Sequence, residues 1–376
     1  MAVDGDFTEV QTSKREGTVI ERPRPVTMTD VAAAAGVSQS TVSRILNRKP
    51  GLIPASRDTR ERVETIAREL GYRPHPFARA LHGAPTMLLG AIVRDITDPF
   101  FAEAIEALTI ECKQRGYSIV LGHARSTADE ALALAGVLEA RQCDAIVLVG
   151  DFRGERHLVD DLRQAPVPVV ALWHGSERHG RPFPTVTVDS RAGIRAALMH
   201  LTSLGHERIA YVGTAMRYVI LDREEAYREH LGTLRLAAHD GYIRHAPNTI
   251  GGGANALAAL MELPSPPTAI IAATDILAIG LINAASARDI KVPEDLSVVG
   301  FDDIALAAGM IPSLTTVRMP TVQMIAAGVK LAVGESDWNW ATSQDPPRVV
   351  FEPKLIVRDS TGPARLPDAA RSEPAE

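Results

Sequence analysis

The 376-residue sequence has no uninterrupted apolar run near the roughly 18 residues that a membrane-spanning helix needs. Its first 25 residues are polar, charged and broken by glycine and proline, so they resemble a disordered extension rather than a secretory signal. Only two cysteines occur, Cys112 and Cys143, and neither belongs to a CxxC pair. These absences argue against a membrane protein, a disulfide-rich protein and a zinc domain. They predict a cytoplasmic protein with buried cysteines.

Charge is distributed unevenly along the chain. Between Arg22 and His82 there are eleven basic and five acidic residues, a balance of +6 within a total charge of −6. The first 21 residues carry two basic and five acidic groups, which leaves −9 for the part that begins at Gly83. A small basic segment joined to a large acidic one predicts a polyanion as the partner of the first and a different partner for the second.

The basic segment carries the signals of three short helices. Thr27 and Asp30 have the spacing of a capping box, and Gly36 marks the end of the helix that they begin. A second helix is expected from its cap, Ser38, to about residue 46, and a third over residues 56–70. Apolar residues recur at helical spacing in both, as Val42, Ile45 and Leu46 and then as Val63, Ile66, Ala67 and Leu70.

The opposite face of the second helix is short, polar and rich in hydrogen-bonding groups. It comprises Gln39, Ser40, Ser43, Arg44 and Asn47. In a helix-turn-helix arrangement such a helix lies in the DNA major groove, where amides and guanidinium groups reach base edges. The alternative interpretation is a polar face that only meets solvent.

A short segment follows the third helix. Pro74 and Pro76 end that helix, and residues 77–81 are enough for about one and a half turns of another. So short a helix is marginal alone, but it can form on DNA beside the copy from a second subunit, with Leu81 wedged into a minor-groove step. A plain interdomain linker is the alternative.

The stretch "VTMTDVAAAAGVSQSTVSRILN" at residues 26–47 resembles the recognition unit of the lactose-repressor (LacI/GalR) family of bacterial transcription regulators, and "TRERVETIARELGYRPHPFARAL" at 59–81 resembles its third helix and hinge. Further similar motifs are "DPFFAEAIEAL", "VDSRAGIRAALMHLTSLGHERIAYVG", "DLSVVGFDDI", "SLTTVRMP" and "PKLIVRDST". Because several motifs occur in the family's order from about residue 26 to residue 361, the resemblance is specific.

The resemblance implies roles for individual residues on DNA. It assigns base reading to Gln39, Ser40 and Arg44, and phosphate contacts to Thr27, Ser38, Thr41, Ser43 and Asn47. In the hinge it implies that Leu81 intercalates, with Ala78 and His75 facing the minor groove. Two departures from the family are His75, where asparagine is usual, and "RKPGLIPA", which lengthens the loop before the third helix.

From Met87 onward, short apolar runs such as "LLGAIV" and "LSVVGFD" alternate with helical stretches. This alternation predicts parallel sheets with helices on both faces, and the length of this part favours two lobes. The resemblance implies lobes like those of periplasmic sugar-binding proteins, with three chain crossings between them. The expected fold is an all-α helix-turn-helix domain (26–73), a hinge (74–85) and a two-lobed α/β domain (86–362), followed by a disordered tail. Lobe 1 is expected at about 86–185 and 317–333, and lobe 2 at about 186–314 and 349–362.

Candidate ligand-binding residues follow predicted strands, where ligands bind in open α/β sheets. Asp95, Phe100 and Phe101 follow "LLGAIV", Thr274 and Asp275 follow "AIIAA", and Asp302 follows "SVVGF". Carboxylates suit hydroxyl-bearing ligands, and an aromatic ring can cover an apolar ring face. Core packing is the alternative for both phenylalanines, and capping of the next helix is the favoured role for Asp275.

The resemblance preserves only part of the family's effector site. Trp173 stands where an acidic residue is frequent, and Thr274 replaces a frequent asparagine. The family's arginine matches Arg223 without the usual glycine, whereas a shifted alignment puts Glu229 at that position with Arg228 beside it. The resemblance therefore does not carry over the identity of the ligand.

Three motifs resemble catalytic or metal sites only superficially. The run "GGGANA" at 251–256 lacks the lysine of a phosphate loop and is expected to be a loop that enters a helix. The segment "HGSERHG" at 174–180 contains neither GxSxG nor HExxH. Asp302 and Asp303 are adjacent at a strand end, so their side chains should point apart. No enzymatic activity, metal or cofactor is expected.

The sequence predicts a homodimeric repressor on a near-palindromic operator, modulated by a sugar or sugar derivative bound between the lobes. Two subunits are expected because one short recognition helix buries too little surface for strong specificity. No leucine heptads follow Gly362, so a tetramer built through that end is not expected. The alternative from another class is a sugar-binding or sugar-processing protein whose helical N-terminus serves only assembly.

Overall fold

The computed structural model describes residues 24, 26–46, 56–72, 85–125, 127–151, 156–173, 183–214, 221–234, 236, 239–338 and 345–365. The chain divides into two compact units at the boundary between Ala84 and Pro85. Several predictions fall outside the described residues: Asn47, the hinge residues His75, Ala78 and Leu81, the segment 174–180, and nearly all of both predicted disordered ends. In the described residues, no helix is both long and apolar enough to cross a membrane.

The described part of the first unit contains α1 (Met28–Ala35), α2 (Gln39–Leu46) and α3 (Arg57–Glu69). The predicted capping box is confirmed, because Asp30 N donates to Thr27 Oγ1 at 3.3 Å and Thr27 N donates to Asp30 Oδ2 at 2.8 Å. Gly36 ends α1 with a φ of 65°, a left-handed conformation that glycine adopts without strain. The sequence signals therefore locate the helix ends correctly.

The three helices share one apolar core. Its buried members are Val31, Ala32, Ala35, Val42, Ile45, Val63 and Ala67. The predicted stripe on the third helix is wrong at Leu70, which is 40% exposed because it lies past the last helical turn as the C-cap. Tyr72 packs against the core after the chain has turned at Gly71.

The first sheet of the second unit consists of β1 (Leu88–Val93), β2 (Ser118–His123), β3 (Ala145–Val149), β4 (Val169–Leu172), β5 (Thr185–Val188) and β11 (Arg348–Phe351). Its order is β11-β5-β4-β3-β1-β2 with parallel pairing throughout. The helices of this lobe are α4 (Pro99–Gln114), α5 (Ala128–Ala140), α6 (Arg156–Leu162) and α12 (Thr321–Ala332). The central strands are buried because helices cover both faces.

The second sheet consists of β6 (Ile209–Thr214), β7 (Ile243–Ala246), β8 (Ala269–Ala272), β9 (Ser297–Asp302), β10 (Thr315–Arg318) and β12 (Lys354–Ile356). Its order is β12-β10-β9-β8-β6-β7. The helices of this lobe are α7 (Ser190–Ser203), α8 (Leu221–Thr233), α9 (Ile250–Met261), α10 (Asp275–Ser286) and α11 (Ala305–Gly309). Strand pairing in this sheet is parallel, as predicted, except that the edge strand β12 pairs antiparallel with β10.

Within the described residues the chain passes between the sheets after β5, after β10 and after β11. Each crossing lies a few residues later than the predicted lobe limits at 185, 317 and 349. The strands continue that far because pairing with their neighbours extends to their ends, as between Arg318 and Asp302 and between Phe351 and Val188. These three segments connect the two lobes.

The glycine run at 251–253 is part of a helix. Thr249 caps α9 by accepting a hydrogen bond from Gly252 N at 2.9 Å, so these glycines form the first turn. The expectation of a loop is therefore wrong. Glycine is required here by packing between helices and not by a loop conformation. A Cβ on Gly253 would clash with the backbone oxygen of Leu277 in α10.

Both cysteines are buried and free, as the sequence predicted. Cys112 lies in α4, and Cys143 lies in the turn before β3. Burial raises the pKa of each thiol to about 11, which keeps both sulfur atoms protonated at neutral pH.

Candidate recognition helix and ligand cleft

The polar face predicted for α2 is present on the surface of the first unit. Gln39, Ser40 and Arg44 are exposed, whereas Val42 and Ile45 on the other face are buried. Arg44 Nη2 donates to Thr41 Oγ1 at 3.3 Å. The buried face thus holds the helix in place while the opposite face presents an amide, hydroxyls and a guanidinium.

Of the candidate phosphate-binding residues, Ser38 and Thr41 lie at the start of the same helix, Ser43 lies within it, and Thr27 caps α1. Ser38 Oγ is within hydrogen-bond distance of Ser40 Oγ (2.8 Å) and of Thr41 Oγ1 (2.9 Å). Thr27 and Ser38 are exposed, and Thr41 and Ser43 are half-buried. Hydroxyl groups near helix N-termini are well placed to bind phosphate oxygens.

The carboxyl ends of both sheets face one cleft in the second unit. Asn248, which follows β7, donates from Nδ2 to Asp98 Oδ2 of the first lobe at 2.9 Å. Thr274 Oγ1 in turn donates to Asn248 Oδ1 at 2.6 Å. The two lobes are therefore in direct hydrogen-bonded contact at the cleft.

The candidates for the family's arginine differ in burial and in their partners. Arg223 is 3% exposed, its guanidinium carbon lies 3.5 Å from the ring centroid of Phe301, and Nη1 donates to the backbone oxygen of Ala273. Its Nη2 lies 3.6 Å from Asp302 Oδ1. Arg228 instead pairs with Glu224 and is 51% exposed, while Glu229 pairs with the exposed Arg191. Of the candidates, only Arg223 lies at the cleft.

Asp302 and Asp303 point apart, as the sequence predicted. Asp302 faces Arg223, whereas Asp303 accepts hydrogen bonds from Arg318 Nε at 2.5 Å and Arg358 Nη2 at 2.6 Å. Burial raises the pKa of Asp302 well above its ordinary value, and Arg223 acts in the opposite direction. Asp302 has a φ of 117°, and Trp173 at the end of β4 has a φ of 57°. Such backbone strain at strand ends is typical of functional sites.

Three aromatic residues form one wall of the first lobe at the cleft. The ring of Phe100 lies 5.0 Å from that of Trp173 and 5.1 Å from that of Phe101, both edge to face. All three are buried, and Trp173 Nε1 has no hydrogen-bond partner in the described chain. The phenylalanines are thus core residues, while Trp173 carries an unsatisfied donor.

Asp95 and Thr274 have clear local partners. Asp95 Oδ1 accepts from Thr97 N at 2.9 Å and from Thr97 Oγ1 at 2.6 Å, and it lies 3.5 Å from His123 Nε2. Thr274 is the N-cap of α10, because Leu277 N donates to its hydroxyl at 3.3 Å. The expectation that Asp275 caps this helix is therefore wrong.

Asp275 is fully buried and accepts hydrogen bonds from Thr316 Oγ1 at 2.5 Å and Ile304 N at 2.8 Å. Its carboxylate therefore links α10 to β10 and to the turn after β9. The side chain faces inward because the residue follows the cap, where the first helical turn packs onto the sheet.

Sequence reasoning missed three polar residues of the cleft: Arg94, Asp98 and Asn248. Arg94 directly precedes the predicted Asp95, and its guanidinium carbon lies 4.9 Å from the ring centroid of Phe101. Asp98 stands in the quoted motif "DPFF", so its position after β1 was an available signal. Asn248 had no signal, because its role depends on pairing across the lobes.

The buried carboxyl of Asp275 predicts a pH dependence of folding stability. Burial raises the pKa of this group from 3.8 to about 7. Between these two values the unfolded chain has lost the proton that the folded chain retains, so the free energy of unfolding should fall as the pH rises through this range. Asp275→Asn should reduce this slope in urea unfolding, while the exposed Asp289→Asn of the same lobe should leave it unchanged. Equal slopes in all three proteins would contradict this assignment.

In the described residues, no group of three or more His, Cys, Asp and Glu side chains could hold a metal ion. The described elements are instead those of a ligand-regulated DNA-binding protein. A helix-turn-helix unit presents a polar recognition face, and a two-lobed α/β unit surrounds a polar cleft.

Comparison with known families and proteins supports this class. Residues 27–75 match the profile described as "Bacterial regulatory proteins, lacI family", and residues 198–361 match "Periplasmic binding protein-like domain". The chain is 34% identical to catabolite control protein A of Priestia megaterium over 308 residues, covering 81% of this chain and 91% of that one. It is 34% identical to the transcriptional regulator MalR of Streptomyces coelicolor over 350 residues, covering 90% and 97%.

Solved structures have the same fold. The Lac repressor dimer bound to operator and the anti-inducer ONPF superposes with a TM-score of 0.78 at 24% identity, covering 90% of this chain and all of that one. A complex of the transcriptional regulator CelR with cellobiose gives 0.63 at 28% identity, with the same coverage. The chain belongs to the lacI family of bacterial regulatory proteins and is a DNA-binding regulator of transcription. The predicted family and fold class are thereby confirmed.

Proposed function

We propose that the protein is a homodimeric repressor that binds a near-palindromic operator in the bacterial cytoplasm and responds to a sugar or sugar derivative. The observation that carries the proposal is the exposed face of Gln39, Ser40 and Arg44 on a helix whose other face is buried. Such a face reads base edges in the major groove, because amide and guanidinium groups match their donor and acceptor patterns. The polar cleft of the second unit supplies the site for the effector.

The remaining DNA contacts are assigned by position. Thr27, Ser38, Thr41, Ser43 and Asn47 hold phosphates, which fix the register of the helix on DNA. Leu81, with Ala78 and His75, enters the minor groove as part of a hinge that forms between two subunits on the operator. Two subunits present two recognition helices, which explains a palindromic site and a specificity that one short helix does not reach.

The effector binds between the lobes. Arg223 and Asp302 of the second lobe contact its polar groups, Trp173 covers part of the ligand, and Asp95 and Thr274 complete the polar lining. Phe100 and Phe101 support this wall from beneath. A ligand that contacts both lobes changes the angle between them, because only three chain segments connect the lobes. This change in angle alters the operator affinity of the DNA-binding unit. The cellobiose complex of a relative with the same fold supports a sugar-like ligand.

Operator binding provides the first test. The protein should select a near-palindromic sequence from a random pool, and its affinity for that sequence should fall steeply with salt. Arg44→Ala should lower affinity for the selected operator about 10- to 100-fold and relax the base preference at one position in each half-site. Its affinity for unrelated DNA should change little. Gel shifts in a salt series measure both quantities.

The matched control is Arg68→Ala, which removes an exposed arginine from the last turn of α3. It should leave operator affinity within about threefold of the wild type, because Arg68 lies outside α2 and a single exposed charge that makes no base contact contributes only weakly in salt. If Arg44→Ala and Arg68→Ala retain the same base preference, α2 is not the recognition helix. If the wild-type protein selects no sequence at all, the proposed function is refuted.

A further inference from the structure

Arg94 lies on the first-lobe side of the cleft and is not part of the family match at Arg223 and Asp302. It directly follows β1, its side chain is 16% exposed, and it packs on the ring of Phe101. Its position resembles that of Arg223, which packs on the ring of Phe301 in the second lobe. Each lobe therefore presents one guanidinium group, supported by a phenylalanine ring, at the carboxyl end of its sheet.

Four carboxylates act electrostatically on Arg94, and two of them, Asp98 and Asp95, accept hydrogen bonds from other donors. Asp98 Oδ2 lies 4.0 Å from Arg94 Nη2, beyond hydrogen-bond distance, and the Asp98 carboxylate accepts from Phe100 N and from Asn248 Nδ2. Asp95 accepts from Thr97, and Asp302 faces Arg223. Arg94 thus interacts electrostatically with these acidic neighbours and with Asp151, and no hydrogen bond joins it to Asp98 or Asp95. If Arg94 only neutralised these acids, its N–H groups would not need to form directional hydrogen bonds with them.

Three of the buried polar atoms that have no hydrogen-bond partner in the described chain are N–H donors at the cleft. Arg94 Nε, Arg223 Nε and Trp173 Nε1 are buried without a hydrogen-bond partner. A buried donor without an acceptor is costly, so such groups call for a specific explanation. A sugar hydroxyl brings a donor as well as an acceptor, whereas a carboxylate or phosphate brings only acceptors. Each free N–H group needs an acceptor from the ligand, and a carboxylate or phosphate offers several acceptors without a donor of its own.

From this geometry we propose that Arg94 determines effector specificity by binding an anionic group, so that the effector is an acidic sugar derivative and not a neutral sugar. The proposal deepens the proposed function and rests on it. A guanidinium group forms paired, charge-assisted hydrogen bonds with a carboxylate or a phosphate, which are stronger than those with neutral hydroxyls. An anion held by Arg94 in one lobe and by Arg223 in the other also stabilises the closed arrangement of the lobes.

The test uses the full-length protein and compares neutral sugars with their carboxylate and phosphate derivatives. D-Glucose is compared with D-gluconate, D-glucuronate and D-glucose 6-phosphate, and the galactose and mannose series are treated in the same way. Thermal shifts identify ligands that bind the native state, and titration calorimetry gives their Kd values. The carboxylate and phosphate arms show which of the two anions the cleft prefers. We expect at least one acid to bind about tenfold or more tightly than its neutral counterpart.

Variants separate a specificity role from a structural one. Arg94→Gln should weaken binding of that acid about tenfold or more while leaving the neutral sugar within about threefold, and Arg94→Lys should restore part of the preference through its charge. Arg125→Gln is the matched control, because Arg125 is 69% exposed and pairs with Glu130 in the same lobe. It should bind every ligand as the wild type does. Circular dichroism verifies that each variant is folded.

Two results would overturn the assignment of Arg94. One is a wild-type protein that binds neutral sugars as tightly as their acids, or that binds no acid of the three series. The other is an unchanged preference in folded Arg94→Gln. Gel shifts on the same samples separate this failure from that of the proposed function. If the protein still selects an operator, only the role of Arg94 is refuted. If it selects none, the proposed function and the role of Arg94 are both refuted.

Discussion

Replacing Arg223 by alanine should lower the free energy of unfolding of the two-lobed unit by about 3–5 kcal/mol, because the change leaves a buried carboxylate without its partner. Arg223 is 3% exposed and the side chain of Asp302 is 9% exposed, so water does not readily replace the lost guanidinium. The variant also loses packing on Phe301 and the hydrogen bond to the backbone of Ala273. The same substitution should abolish thermal stabilisation by any effector bound between the lobes.

The pH dependence of the destabilisation by Arg223→Ala shows whether the unpaired carboxylate of Asp302 causes it. Because burial raises the pKa of Asp302 well above its ordinary value, acid protonates its carboxyl, and the neutral group no longer needs a cation. The destabilisation by Arg223→Ala should therefore shrink as the pH is lowered. Urea unfolding followed by tryptophan fluorescence, repeated at several pH values, measures the effect.

Arg228→Ala is the matched control, since Arg228 lies on the same helix and is next to Glu229, which the alternative alignment puts at the position of the family's arginine. It is 51% exposed and pairs with Glu224, so its removal should change the free energy of unfolding by about 0.5 kcal/mol or less. The effector response should be retained. If Arg228→Ala lost the effector response and Arg223→Ala behaved as the wild type, Arg228 and not Arg223 would be the arginine that binds the effector.

Gly280→Ala should destabilise the second lobe by about 2–3 kcal/mol, although alanine is the better helix former. The added Cβ would clash with the backbone oxygen of Ile250, and it would lie 3.0 Å from Cα of Gly253. Backbone atoms cannot move aside as a flexible side chain does, so α9 and α10 would have to separate. The two glycines allow these helices to approach closely beneath the cleft residues Asn248 and Thr274.

The control for this prediction is Gly136→Ala in α5. Gly136 is exposed, and an added Cβ meets no atom within 4 Å. Alanine there should raise the free energy of unfolding by about 0.5–1 kcal/mol through helix propensity alone. Thermal or urea unfolding of the two variants should thus shift in opposite directions. Stabilisation by both would refute the close packing of α9 on α10.

The helix-turn-helix unit shows how much local signals can predict. Thr27, Asp30 and Gly36 define the ends of α1 through contacts within a few residues, so their roles were readable directly. The exposed face of α2 followed from helical periodicity in the same way. Leu70 was misassigned because its burial depends on where the chain turns after α3 and not on spacing within the helix.

The cleft shows the opposite case. The positions of Asp95, Thr274 and Asp302 after strands were predictable, since parallel strands place their carboxyl ends along one edge. The partners of these residues were not predictable. Asp275 was expected to cap a helix, but its carboxylate binds Thr316 and Ile304, which are distant in sequence. Likewise, spacing did not show that Arg223 is buried and Arg228 exposed, because this depends on how α8 packs in the fold.

Composition, periodicity and capping residues were sufficient for the fold class and for the polar face of α2, because each depends on interactions within one element or on the alternation of elements. The family was indicated by the resemblance of several motifs. Folding alone decided which polar groups meet in the cleft. Asn248 binds Asp98 across the lobes, and Arg94 retains a free donor there, only because the chain passes three times between two sheets. Such contacts join residues far apart in sequence, and burial then sets their charge and their hydrogen bonding.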